Sequence, residues 1–216
     1  MQSRSRKSLM HDSVPGSSSP HGITKNILEM SLNQARGEVN MDAYLVLFSE
    51  LVSYCRDRVE SVMALQEKLA QLGYRIGRRA LELILAREKV SRRETRLLNM
   101  LNFIASTLWN FLYGKQADCL KKVRDSELEY YIEEAEPLVN KYISVPADYG
   151  HFNCASFSAG IINGVLDSAG FPAEVTAKVL ARNGDEDLSQ QQGQPLTIYY
   201  IKFEPEVLER EKRLNG

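Results

Sequence analysis

A long amphipathic pattern with two glycines inside it constrains this chain more than any other feature. Its apolar residues recur every three or four positions and predict one long helix with a single apolar face: Val62, Leu65, Leu69, Leu72, Ile76, Ala80 and Leu83. Gly73 and Gly77 lie within it, and each glycine in a helix interior costs about 1 kcal/mol relative to alanine. Such a pair predicts a notch where another backbone approaches or the helix kinks, in preference to space for a ligand.

A second predicted helix carries two glycines at the same spacing. It begins near Asn153, a possible N-cap, and ends at Gly170 and Pro172. Gly160 and Gly164 lie inside it and again indicate tight packing. The sequence therefore predicts two helices that each present a glycine-lined surface.

The other predicted elements surround these two helices. One helix precedes them, with Asp42 as a plausible N-cap, and another begins at the capping box Ser91–Glu94 and ends at Gly114. Two strand pairs and a short C-terminal helix complete the pattern. The strands are expected at 127–133, 139–145, 175–179 and 196–201. The helix opens at Pro205 with pairs Glu206–Arg210 and Glu209–Arg213. Without a repeated βαβ pattern, this order predicts the α+β class, a helical layer with a small antiparallel sheet.

The two most polar stretches are expected to lie outside the packed body. Residues 1–24 contain seven serines and few large apolar side chains, a composition that favours disorder. The Gln-rich stretch at about 181–195 is longer than a usual hairpin loop and predicts a mobile insertion. Residues 25–216 are expected to form one domain.

Composition excludes several functions. The chain of 216 residues has 27 basic and 28 acidic side chains, so it lacks the basic field that nucleic-acid binding requires. Three widely separated cysteines predict no disulfide framework. Because His11 and His21 lie in the polar leader and leave only His151 near the packed body, no histidine-based metal site is expected either. No secretory signal is apparent, and the polar stripe in Leu97–Gly114 indicates a buried helix instead of a membrane span.

No catalytic motif anchors an enzyme function. Phosphate-binding, dinucleotide-binding, zinc-protease and serine-hydrolase motifs are absent. His151 and Cys154 lie close in sequence, but an inward-pointing apolar cysteine explains that spacing as well. Glu133, Glu134 and Glu136 are interpreted as a solvated strand end. A basic cluster at Arg87, Lys89, Arg92, Arg93 and Arg96 is interpreted as a solvated turn, with an acidic partner or lipid head group as the alternative.

Several segments together resemble one protein family. The segments are GYRIGRRALELILAR at 73–87, FSELV at 48–52, EPLVNKYISVP at 136–146 and NCASFSAGII at 153–162. They are similar to the Bet-three-like small subunits of the transport protein particle (TRAPP) complex, closest to the subunit-five branch of that family. The resemblance extends from about residue 25 to 210.

The resemblance implies a non-catalytic structural subunit of a vesicle-tethering assembly. That assembly exchanges the nucleotide of a Rab GTPase in endoplasmic-reticulum-to-Golgi and intra-Golgi traffic. The implied partners are the Bet-three subunit, a sedlin-like subunit two and other TRAPP subunits. The implied location is cytoplasmic, peripheral to endoplasmic reticulum and Golgi membranes. Helices one and two would form the seam with the Bet-three subunit through Leu45, Phe48, Leu51 and Leu69.

One departure from the family pattern and two alternatives accompany this interpretation. The acylated family member carries its modified cysteine just after the second helix, where this chain has Arg92 and Arg93, so no acyl group or other cofactor is expected. One alternative is a small-molecule or lipid-binding module of the same fold, with Gly73, Gly77 and Trp109 bordering a pocket. The other is an enzyme that uses Cys154, which requires a thiol with a lowered pKa.

Overall fold

A computed structural model describes residues 40–88, 94–145, 149–150, 152–180 and 196–215 of the chain. In chain order the elements are α1 (Met41–Arg56), α2 (Val62–Glu88), α3 (Leu97–Phe103), a π-helical segment (Ile104–Leu108), α4 (Trp109–Tyr113), β1 (Cys119–Lys122), β2 (Glu129–Glu134), α5 (Leu138–Lys141), α6 (Ala155–Ala169), β3 (Ala173–Leu180), β4 (Leu196–Phe203) and α7 (Pro205–Asn215). The predicted α+β class is confirmed. The predicted leader at 1–24 and insertion at 181–195 lie outside the described residues.

The two glycine-bearing helices cross each other with reciprocal backbone contacts. A Cβ at Gly73 or Gly77 of α2 would overlap the carbonyl oxygen of Phe157 or Ile161 in α6, respectively. The glycines of α6 show the converse relation, since a Cβ at Gly160 or Gly164 would overlap backbone atoms of Ala70 or Tyr74 in α2. Each helix thus supplies the notch that the other backbone occupies, which confirms the prediction of tight packing.

The α6 helix lies at the centre of the fold. It packs against α2 and against β3, and most of its side chains are buried, including Phe157, Ile161 and Val165. A helix that is packed on most sides has no wide polar face, because polar side chains remain in water only where no neighbouring element covers them. Its C-terminus ends at Gly170, whose φ of 78° is the left-handed conformation favoured for a helix C-cap.

The four strands form one antiparallel sheet in the order β1-β2-β4-β3. On β2 the buried residues alternate with less buried ones, and Tyr130, Ile132 and Glu134 share the inward face. On β4 the buried positions include Tyr199 and Ile201. The inward faces of β2 and β4 therefore meet the helical layer, as the period of two requires.

The helix after α2 contains a π-helical segment that changes its hydrogen bonding. Within Ile104–Leu108 the backbone carbonyl of Ala105 accepts a hydrogen bond of 2.9 Å from the N–H of Ala117, which lies beyond the end of α4. The helix then ends at Gly114, with φ of 71°, as predicted. A π segment releases carbonyls from the helical ladder, and here one of them holds the chain leading to β1.

Four local predictions are wrong. Segment 139–145 is not a strand, since α5 begins at Leu138 after Pro137; the strands that pair with β2 are the lysine-bearing β1 and β4. The cap of α1 is Asn40, whose side chain accepts from the N–H of Asp42 at 2.8 Å. The next helix begins at Leu97, after Glu94, so the capping box does not start it. Finally, Arg210 donates to the carbonyl of Gly170 instead of pairing with Glu206.

Candidate docking surface

The residues predicted for the subunit seam occupy different environments. Phe48 of α1 and Leu69 of α2 are buried in the core of this chain, and the Phe48 ring packs edge-on against Phe157 at 5.2 Å between centroids. Leu45 and Leu51 are half-buried on α1. The sequence pattern thus combined core positions with positions at the edge of the core, because both lie near the same apolar stripe.

One side of α1 presents apolar side chains to solvent. Leu47 and Tyr54 are 71% and 55% exposed, and Leu51 lies between them at spacings of four and three. Residues at these spacings form one continuous patch on a helix. These three residues are called the α1 flank. Helical periodicity places Leu47 and Leu51 at the edge of the apolar stripe of α1, whereas the exposed Tyr54 is not part of that predicted stripe. The sequence signal for Tyr54 is that it lies seven residues after Leu47, on a side of α1 away from the buried residues Phe48 and Cys55.

Charged groups border the α1 flank. The guanidinium of Arg58 lies 3.5 Å from the centroid of the Tyr54 ring and donates to the Tyr54 carbonyl at 3.0 Å. At the C-terminal end of α1, away from the flank, Arg56 and Asp57 form an exposed ion pair at 3.0 Å. An apolar centre with a polar, partly preordered border is the usual composition of a protein interface.

A shallow cleft lies on the other side of α1. Its volume is about 190 Å³, and its walls include Val52 and Arg56 of α1, Leu65 of α2, and Ile143 and Phe152. Apolar and hydroxyl-bearing residues both line it. The wall at 142–145 belongs to the EPLVNKYISVP segment, one of the segments that carry the family resemblance.

A buried polar network lies beneath the sheet, and it corrects one prediction. Glu134 was interpreted as a solvated residue, but its side chain is buried, forms an ion pair with Lys115 at 3.1 Å and accepts a hydrogen bond of 3.0 Å from Tyr199. Burial raises the pKa of the Glu134 carboxyl, and the two partners oppose that shift. The signal was present in the sequence, because Glu134 shares the strand parity of Tyr130 and Ile132.

The two alternative functions find no support at the residues proposed for them. Backbone atoms of α6 occupy the space at Gly73 and Gly77, and the Trp109 side chain is fully buried against Tyr113 and Tyr199. These residues therefore do not border a ligand pocket. Burial raises the pKa of the Cys154 thiol to about 12, which is the opposite of what a thiolate nucleophile requires.

Searches for two other kinds of site concern the described residues alone. Over these ranges, no three histidine, cysteine, aspartate or glutamate side chains converge to hold a metal ion. No described helix combines the length and apolar character needed to span a bilayer. His151 and the basic residues Lys89, Arg92 and Arg93 lie outside the described residues.

Comparison with known proteins identifies the family. The family described as transport protein particle (TRAPP) component matches residues 44–204, which is most of the chain. This chain belongs to the TRAPP family. Trafficking protein particle complex subunit 5 of Dictyostelium discoideum is 46% identical over 86% of this chain and 96% of its own length. Subunit 5 of Homo sapiens is 45% identical over 88% of this chain and 94% of its own length. The resemblance to the subunit-five branch is confirmed.

More distant TRAPP proteins share the fold. Trafficking protein particle complex subunit 31 of Saccharomyces cerevisiae is 27% identical over 88% of this chain and 84% of its own length. A solved structure of subunit 3 from Naegleria fowleri, covalently bound to palmitic acid, superposes with a TM-score of 0.62 at 18% identity. It covers 76% of this chain and 95% of that protein, which confirms the Bet-three-like fold. The chain is thus a TRAPP subunit with a vesicle-trafficking role.

Proposed function

We propose that this chain is a non-catalytic structural subunit of a TRAPP tethering complex. In this proposal the assembly acts as guanine-nucleotide exchange factor for a Rab GTPase in endoplasmic-reticulum-to-Golgi and intra-Golgi traffic. The chain binds the Bet-three subunit as a heterodimer and meets a sedlin-like subunit two through another surface. It reaches the membranes of both compartments peripherally, through the complex. Family membership over residues 44–204 is the observation that carries the proposal.

The α1 flank is the part of the seam that the geometry supports best. Leu47 and Tyr54 expose apolar area that the described residues do not cover, and Leu51 connects them. Burial of exposed apolar area stabilises a complex by about 25 cal/mol per Å² before the costs of association. The core residues Phe48 and Leu69 support this surface from below, so their contribution to the seam is to position the helices.

Leu45 and Leu51 have different parts in the proposed seam. Leu51 belongs to the α1 flank, whereas Leu45 is half-buried on the opposite side of the core stripe. A partner that approaches the α1 flank meets Leu51 and reaches Leu45 only by wrapping over the N-terminal turn. The proposal therefore places Leu47, Leu51 and Tyr54 at the centre of the contact and Leu45 at its edge.

Co-expression of the full chain with the Bet-three subunit tests the heterodimer. Light scattering of the purified material should give a one-to-one complex, and Leu47→Asp should abolish it because a carboxylate cannot be desolvated in an apolar seam. Leu98→Asp is the matched control, because Leu98 is also exposed, at 57%, but lies on α3. Phe48→Asp is unsuitable because Phe48 is a core residue.

The possible results separate cleanly. Loss of the complex in the Leu47 variant but not in the Leu98 variant supports the proposed seam. A complex that survives Leu47→Asp contradicts the α1 flank, and a wild-type chain that ignores the Bet-three subunit contradicts the heterodimer. Nucleotide release from candidate Rab GTPases, measured with and without this chain in the reconstituted assembly, tests its contribution to exchange.

A further inference from the structure

The two edges of the sheet differ in length and in protection. With the strand order β1-β2-β4-β3, the edge strands are β1, of four residues, and β3, of eight. β1 is short and carries Lys121 and Lys122, two features that keep an edge strand from pairing with other strands. β3 is longer, contains no proline and carries one lysine, Lys178. Among the described strands, β3 is therefore the edge that is suited to receive a further strand.

The backbone of β3 has hydrogen-bonding groups that the described residues do not use. Every residue from Ala173 to Leu180 is in register with β4. In an antiparallel pair only every second residue turns its N–H and C=O toward the neighbouring strand, so the alternate residues of β3 direct theirs away from β4. Over the described ranges, no backbone hydrogen bond joins β3 to an element other than β4. Two apolar side chains at the end of this edge, Val179 and Leu180, are also 49% and 47% exposed.

The side chains of β3 alternate between the two faces of the sheet. The odd-numbered residues pair with buried residues of β4, for example Ala177 with Tyr199, and so face the helical layer. The even-numbered residues face the opposite side, where Glu174 and Lys178 are exposed and Thr176 is half-buried. Glu174 and Lys178 thus carry opposite charges and lie at equal spacings on either side of Thr176.

We propose that the β3 edge pairs in antiparallel fashion with the β3 edge of a second copy of this chain. With Thr176 opposite its own counterpart on a two-fold axis, Glu174 of each copy lies opposite Lys178 of the other. Opposite charges and threonine pairs at directly opposed positions stabilise antiparallel strands, and an isologous contact of this kind closes with two copies. The exposed Val179 would lie opposite Ala173 of the second copy. The sheets of the two copies would then form one continuous sheet.

The charge pattern favours a second copy over an unrelated strand. An unrelated strand would have to supply a lysine and a glutamate at this spacing and in this direction, whereas a second copy supplies both by symmetry. A shift of the register by two residues would place each of the two charges opposite an uncharged residue, so the charges also select the register. The α1 flank shares no residue with β3. The pairing therefore goes beyond the proposed heterodimer and would join two heterodimers.

An exchange of charges across the proposed contact provides the test. Glu174→Lys places a lysine opposite Lys178 of the second copy, and Lys178→Glu places a glutamate opposite Glu174. The double change Glu174→Lys/Lys178→Glu restores opposite charges at both places. Lys122→Glu, at an exposed lysine of the other sheet edge, is the matched control. We measure the dimerisation Kd of the full-length chain by sedimentation equilibrium up to about 1 mM, the weak end of the affinity range, and record the melting temperature of each variant by circular dichroism.

Each single change should weaken the dimer about tenfold or more at low salt, because the two-fold axis doubles every favourable pair lost and every repulsive pair gained. The double change should restore the Kd to within about threefold, and Lys122→Glu should leave it within about twofold. A chain that stays monomeric, a dimer that ignores the single changes, or a double variant that fails to dimerise would each overturn the inference. None of these results bears on the proposed heterodimer, which co-expression with the Bet-three subunit tests separately.

A cysteine at the proposed two-fold axis tests the register directly. Directly opposed residues have Cβ atoms about 4.5–5.5 Å apart, so two Thr176→Cys chains need only a small shift to form a disulfide under mild oxidation. Leu180→Cys is the matched control, because the two copies of residue 180 would lie about 27 Å apart along the paired strands. The natural cysteines of the chain are present in both variants. Thr176→Cys should therefore give covalent dimers and Leu180→Cys should not, and equal yields would contradict the proposed pairing.

Discussion

Gly77→Ala probes the crossing that organises the fold. The added Cβ would overlap the carbonyl oxygen of Ile161 and would lie 2.9 Å from its carbonyl carbon, where ordinary Cβ contacts begin near 3.4 Å. The obstacle is backbone, so a change of side-chain rotamer cannot relieve it. The two helices must separate, and they must do so along the centre of the core.

The size of the effect follows from two opposing contributions. A gap of about 0.5–1 Å forfeits a quarter to a half of the dispersion attraction across an interface, and overpacked cores typically lose about 1–3 kcal/mol, occasionally more. Replacing glycine with alanine in a helix returns about 1 kcal/mol through higher helix propensity. We estimate a separation cost of about 2–4 kcal/mol and a net destabilisation of about 1–3 kcal/mol, a large share of the stability of an ordinary domain.

Urea unfolding followed by circular dichroism measures this difference. Ala86→Gly, at an exposed position of the same helix, serves as the control and should cost about 1 kcal/mol through propensity alone. Alanine is then favoured at residue 86, while glycine is favoured at residue 77. A Gly77→Ala protein more stable than wild type by about 1 kcal/mol would refute the reasoning, since propensity would then be the only contribution.

Three further predictions concern single side chains. Burial raises the pKa of the Glu134 carboxyl above its ordinary 4.5, so between 4.5 and that raised pKa the folded chain binds more protons than the unfolded chain. The unfolding free energy should therefore fall as pH rises from 4.5 through the raised pKa. Glu134→Gln should remove this slope in urea titrations. The carboxylate of Glu211 accepts the N–H of Leu97 at 3.2 Å and so caps α3 from α7; Glu211→Ala should lower the melting temperature by an amount equivalent to about 1–2 kcal/mol, with exposed Glu209→Ala as the nearly neutral control. Cys154, with its thiol pKa raised to about 12, should react with iodoacetamide at pH 8 only at the rate of unfolding, so rapid alkylation of the folded protein would contradict its burial.

The candidate surface divides into what sequence periodicity can reveal and what it cannot. Leu47 and Ile76 recur at helical spacing just as Phe48 and Leu69 do, and all four fit an apolar helix face. Which of them is buried depends on where a second helix packs. The glycines of α2 shift its buried face, so Ile76 becomes exposed although it continues the apolar pattern. A partner surface and a core surface therefore look alike in the sequence.

The sheet illustrates a similar division. Alternation along β2 and β4 predicted both strands, because a strand with one buried face must alternate. β1 escaped prediction because its sequence, CLKK, lies on a sheet edge, where lysines are favoured and the apolar signal is weak. Segment 139–145 has the composition of a strand, but the chain turns into α5 after Pro137. Composition shows which secondary structures a segment can adopt, whereas strand pairing depends on whether a neighbouring strand lies beside it in the fold.

The sequence by itself determined the helices other than α5, three of the four strands, the α+β class and the family, since these depend on local periodicity, caps and short motifs. The paired glycines also predicted a close approach of two helix backbones. Only the tertiary structure decided that the two glycine pairs meet each other, that Glu134 is buried beside Lys115, and that Leu47 and Ile76 are exposed. The physical reason is that a side chain becomes buried only when a second surface, from a distant part of the chain, packs against it. The apolar pattern of one segment does not show which other segment will do so.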